Sequence, residues 1–145
     1  MFNPADFMNT STETVLETSY TPVPENEYTA VVKSVEAVTL GEKQSPALQV
    51  KYLIDDTSVR ELTGMEEVLV SQTVWLDIDE NTGLLAAGKN KNIKLGKLRE
   101  AVGQNDGRPW MPSMLEGQVV KIQVKHSVNP NSGAINANVT QTTSA

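Results

Sequence analysis

Trp75 is the residue of this chain that core packing explains least well. It falls in a segment, about Glu67–Ile78, whose side chains alternate. Val68, Val70, Val74 and Leu76 form one face, interrupted by Gln72, and Leu69, Ser71, Thr73, Trp75 and Asp77 form the other. An indole among hydroxyls on the polar face of a strand suits stacking on a flat ring, and stacking on a nucleic-acid base contributes about 1–3 kcal/mol whatever the base. A register slip of one residue, or the N-terminal segment lying over the ring, would make Trp75 a packing residue instead. Gln49, Lys51, Lys121 and Lys125 also occupy the non-core faces of their strands, where cations and an amide could follow a phosphate backbone.

The charge is split along the chain. Residues 1–80 hold 15 acidic and 4 basic side chains, and residues 81–145 hold 3 and 8, so the net −6 divides into −11 and +5. Lys89, Lys91, Lys94, Lys97, Arg99 and Arg108 lie within twenty residues. Such a cluster marks either a polyanion site in an acidic protein or a solvated helix face. Trp110 sits in the bracket Arg108-Pro109-Trp110-Met111-Pro112, either as a presented aromatic or as a lid over one end of the core.

Catalytic and metal chemistry find little support. The chain has no cysteine, which excludes disulfides, thiolate zinc sites and cysteine nucleophiles. His126 is the only histidine and no Ser or Asp is tied to it by spacing, so no enzyme is expected. Gly83 to Lys89 matches a phosphate-binding loop until Asn90 stands where Ser or Thr must hold magnesium. Asp77 to Gly83 resembles the start of a calcium loop, but its glycine comes one position late and Gly88 replaces the bidentate Glu. An acidic turn is the expectation, and no cofactor is implied. The start, Met1 to Asp6, does not read as a signal peptide, and no apolar run is long enough to cross a membrane.

The organisation follows from hydrophobic period. Residues 1–26, rich in Thr, Ser and Glu with three prolines, read as an irregular N-terminal arm, which Phe2, Phe7, Val15, Leu16 or Tyr20 could anchor on the domain or on a neighbouring subunit. Residues 27–142 form the domain and 143–145 a short tail. Strands are expected near Tyr28–Leu40, Ala47–Ile54, Glu67–Ile78, Gly117–Val128 and Ala134–Thr142. One helix, with Leu95, Leu98, Ala101 and Val102 on its apolar side and Gly103 as its stop, falls between strands three and four. The fold class is therefore mainly β, a five-stranded OB-like barrel with one helix between strands 3 and 4; an open sheet covered by a helix is the competitor.

The chain resembles a family of small bacteriophage single-stranded-DNA-binding proteins of OB type from replication and recombination modules. The resemblance rests on Glu27-Tyr28-Thr29-Ala30-Val31-Val32, the Leu48–Asp55 strand, Val74-Trp75-Leu76, the stretch Leu95 to Gly103, and Leu115-Glu116-Gly117. It implies sequence-nonspecific binding of single-stranded DNA in the cytoplasm of an infected bacterium, without catalysis. The residues expected to serve it are Trp75, Lys51, Gln49, Thr73, Lys121, Lys125, Trp110, Lys97 and Arg99, with Tyr28 as a further stacking candidate. Partners would be single-stranded DNA and, through the arm, a homo-oligomer, but no membrane. The rival expectation is a structural virion protein, for capsid decoration or assembly, whose arm grips its neighbours.

Overall fold

The computed structural model describes residues 1–145. Five strands close into a hydrogen-bonded ring: β1 (Asn26–Leu40), β2 (Ser45–Ile54), β3 (Val68–Trp75), β4 (Val119–Val128) and β5 (Ile135–Ser144). Their order around the ring is β1-β2-β3-β5-β4, with β4 returning to β1. All pairs are antiparallel except β3 with β5, which meet in parallel at the single pair Ser71–Asn138. β1 serves two neighbours. Residues 26–31 pair with β4 and residues 30–40 with β2, and the register shifts between Val32 and Ser34. A bulge of this kind adds twist and bends the strand, which lets one strand turn the corner of a closed ring.

The period-2 alternation puts one side chain in two inside the ring. Ala30 and Val32, then Leu48, Val50, Tyr52 and Ile54, then Val68, Val70 and Val74, then Val120, Ile122 and Val124 are all buried. Gln72 takes its turn in the same inward row and is the one buried polar residue, 3% exposed. The Tyr52 hydroxyl donates to its Oε1 at 2.6 Å, so the hydroxyl and the amide oxygen satisfy each other inside the core. Burial pushes the Tyr52 phenol well above its ordinary pKa, which keeps it a hydrogen-bond donor.

Helix α3 (Ile93–Ala101) lies between β3 and β4 in sequence, as the period indicates, and buries Leu95 and Leu98. It ends in a Schellman arrangement: Gly103 at φ +69° donates to the Glu100 carbonyl and Gln104 to the Arg99 carbonyl. Two helices differ from expectation. Residues Thr57–Thr63, to which the sequence pattern assigns no element, form α2, capped by Asp56 Oδ1 at the Val59 amide and stopped by Gly64 at φ +72°. The arm is not wholly irregular, since Pro4–Met8 form a single turn, α1, capped by Asn3.

The arm is attached, but not by the residues expected. Phe2, Phe7, Val15, Leu16 and Tyr20 are all exposed, and Phe2 and Phe7 contact only each other among the aromatics. Val23, 2% exposed, is the anchor. Its carbonyl accepts from His126 Nε2 at 2.7 Å, and Glu25 Oε2 accepts from the His126 amide at 2.8 Å. That amide is the main reason the Glu25 carboxyl sits below the usual carboxylate pKa.

Tyr52→Phe keeps the ring packing and leaves Gln72 Oε1 without its donor. Denaturant unfolding is expected to show a loss of about 1–3 kcal/mol. Adding Gln72→Leu, which removes the stranded acceptor, is expected to recover part of it.

Candidate nucleic-acid interface

The same alternation that fills the core lays out the opposite face of β2 and β3. Outward residues stand in directly paired rows: Ala47 opposite Trp75, Gln49 opposite Thr73, and Lys51 opposite Ser71. Trp75 is 53% exposed, so the register places its ring outside the core and the arm does not cover it. Its cross-strand neighbour Ala47 is fully buried, and Val38 lies opposite Ala47 on β1, so the indole rises from a ledge of small apolar groups. Thr73 Oγ1 donates to Gln49 Oε1 at 3.2 Å, joining the middle row. Glu36, opposite Gln49 on β1, is the one acid in these rows.

The Lys51 row continues beyond β3. Lys51 pairs with Ser71, Ser71 with Asn138 across the parallel seam, and Asn138 with Lys125 on β4. The four side chains are exposed, and Asn138 Nδ2 donates to Ser127 Oγ on the same outer face. Two lysines are thus linked by small polar residues across four strands, about 14 Å apart at the usual strand spacing. Lys121 belongs elsewhere. Its pairs are Thr29 and Thr143, four residues from Lys125, or about 13 Å along β4.

A clasp fixes the loop after Trp75. Asn92 Oδ1 accepts from the Asp77 amide, its Nδ2 donates to the carbonyls of Asp77 and Ala86, and its own amide donates to Asp77 Oδ2. Asn92 holds a left-handed backbone at φ +52°, which asparagine tolerates better than most residues. The clasp ties the start of α3 to the loop that follows β3, with Lys89 and Lys91 just before Asn92 in the chain. Asp77 is therefore committed to a structural bond, and Asp79 Oδ1 accepts from the Asn81 amide in the same turn. Gly83 to Lys89 leads into a loop and not directly into a helix, which begins only at Ile93. Neither that stretch nor the acidic turn has the architecture its motif requires.

Three expected contacts are corrected or redirected. Tyr28 points inward, is 8% exposed and donates its hydroxyl to the Pro24 carbonyl, so it packs and does not stack on a ligand. Trp110 is half-buried against the core; the Arg99 guanidinium lies 4.4 Å from its ring centroid, and its Nε1 donates to Gln104 Oε1. This arrangement is the lid, with Arg99 stacked on the lid and its Nε bonded to the Gln104 carbonyl. Lys97, by contrast, is exposed beside the groove between α3 and β5. The ion pairs are Lys33–Glu67, Arg60–Asp55 and Arg108–Asp106, which leaves every other lysine (Lys43, Lys51, Lys89, Lys91, Lys94, Lys97, Lys121 and Lys125) and the Trp110-stacked Arg99 outside any ion pair. Sequence reasoning missed Asn92 and Asn138, because a clasp across a loop and a bridge across a seam leave no periodic trace.

Trp75→Ala is expected to change stability by less than about 1 kcal/mol, against the 3–5 kcal/mol that a buried tryptophan would cost, as read by thermal melting. Asn92→Ala removes the clasp and is expected to cost about 1–3 kcal/mol, with proteolysis appearing first between Leu76 and Asn92.

No protein-family model matches the sequence, and no curated protein matches it either.

Proposed function

We propose that this chain is a non-catalytic, sequence-nonspecific single-stranded-DNA-binding protein with an OB-type barrel, acting in a phage replication or recombination module inside an infected bacterial cell. The observation that carries the reading is the outer face of β2 and β3, where an exposed Trp75 is followed along the strands by Thr73 with Gln49 and then by Lys51. The ring order β1-β2-β3-β5-β4, with a helix between β3 and β4, agrees with the OB arrangement, in which strands two and three bear the oligonucleotide. In this reading Trp75 stacks on a base and Lys51 and Lys125 neutralise phosphates at either end of the Ser71–Asn138 row. Lys89 and Lys91 extend the path beyond Trp75. Binding of this kind tolerates any sequence, because every base has a flat face and every nucleotide a phosphate.

A virion role, for capsid decoration or assembly, is the second reading. The exposed Phe2, Phe7, Val15, Leu16 and Tyr20 of the arm favour it, since such groups gain by burial against a neighbour.

Fluorescence titration with oligo-dT separates the two. Only Trp75 and Trp110 emit strongly, so a Trp110→Phe chain reports on Trp75 alone. Quenching is expected at low salt, and Trp75→Ala is expected to weaken binding by about 1–3 kcal/mol. Lys51→Ala and Lys125→Ala are each expected to lower the slope of log affinity against log salt by about 0.7. Absence of both quenching and a gel shift at low salt would sink the DNA reading.

A further inference from the structure

Between α3 and β5 runs a groove of about 740 Å³, one wall of which is the consecutive run Thr140–Ser144. Side chains on a strand alternate between faces, so a wall made of residues in sequence is the edge of the strand. That edge is free. β4 holds β5 along its other side, β3 reaches it only at Asn138, and no loop backbone donates to or accepts from residues 139–144. Every second residue there turns its N–H and C=O towards the groove. The floor includes Gln72, whose Oε1 is held by Tyr52 and whose Nε2 has no hydrogen-bond partner within the chain. On the helix side stand Ile93, Lys94 and Lys97, with Glu100 as the only acid of the lining, and none of these charges is in an ion pair.

The arm carries the complementary features. Residues 10–19 form neither helix nor strand, and every side chain of residues 1–20 is exposed. Thr10 to Thr21 is rich in threonine and includes Val15 and Tyr20, types that favour extended backbone. In an extended chain Glu13, Val15 and Glu17 share a face, and residues 1–21 hold three acids and no basic side chain. We infer that the arm of a second copy adds a short strand, centred on Glu13–Glu17, along the unpaired edge of β5, with Glu13 and Glu17 towards Lys94 and Lys97. Main-chain hydrogen bonds supply the affinity of such an addition, and the side chains at alternate positions supply its specificity. The five-residue edge, about 16 Å long, accepts about five residues of arm. The arm leaves its own body at Val23, on the β4 side, and seats on nothing in its own chain, so each copy offers one arm and one groove.

The inference stands apart from DNA binding, and its association measurements are made without DNA. Sedimentation of the full chain at low salt is expected to show self-association that disappears when residues 1–21 are deleted. Lys94→Glu with Lys97→Glu is expected to weaken association about tenfold or more, with unchanged melting because both side chains are exposed. Mixing that chain with a Glu13→Lys, Glu17→Lys chain is expected to restore it. A full chain that stays monomeric, or association indifferent to the reversals, overturns the inference. So does a monomer whose arm is protected from protease until Lys94 and Lys97 are reversed, since the arm would then occupy its own groove. Oligo-dT that shifts the Thr140–Ser144 amides equally with and without the arm would assign the groove to nucleic acid and overturn it too.

Discussion

Strand β1 pairs with β4 through residues 26–31 and with β2 through residues 30–40, and the bulge around Lys33 is what allows a single strand to do both. Without that bend the β1–β2–β3 sheet and the β4–β5 hairpin would be two open layers, each with a free edge. With it they become one ring whose inward rows enclose Tyr52, Ile122 and Leu95. The alternation inside β2 and β3 then has no freedom. A slip of one residue would carry Val50, Tyr52 and Val70 to solvent and Lys51 and Trp75 into the core, so the core pins the outer face.

The outer face is therefore a by-product of core formation in its placement, though not in its chemistry. Packing requires nothing of Trp75, Thr73, Lys51 or Ser71 beyond their being outside. That an indole and unpaired lysines stand there, on a chain of net charge −6, is what makes the face a candidate surface. The parallel seam has the opposite character. A single bridge at Ser71–Asn138 carries the Lys51 row across to Lys125, and past it β3 and β5 part to admit α3.

Most of this architecture was legible from residue periodicity. The five strands, the inward Val50–Tyr52–Ile54 and Val120–Ile122–Val124 rows, the outward Trp75, and the Leu95–Leu98 helix with its Gly103 stop all follow from period and punctuation. Helix α2 did not, because seven residues with one buried side chain, Val59, leave too little period to mark an element. Tyr28 was misjudged although the period placed it correctly: it shares the inward row with Ala30 and Val32 and pairs with Ile122. Arg99 was read as a surface cation and Trp110 either as a presented aromatic or as a lid, and only the fold brings one onto the other.

The dual pairing of β1 also sets an order of events. Its contacts with β2 are local, but Ala30 meets Val120 only after about 90 further residues have been made. During vectorial synthesis a β1–β2–β3 meander can assemble as those strands emerge, while β1 waits with one side unpaired for β4. Closure is then a late, long-range step, and β1 is the side of the nascent chain most open to wrong partners. The acidic stretch that precedes β1, together with Glu25 and Glu27 at its start, places like charges where two such waiting edges would meet. Mutual repulsion at that point favours the chain's own β4 over the β1 of a neighbouring ribosome's product.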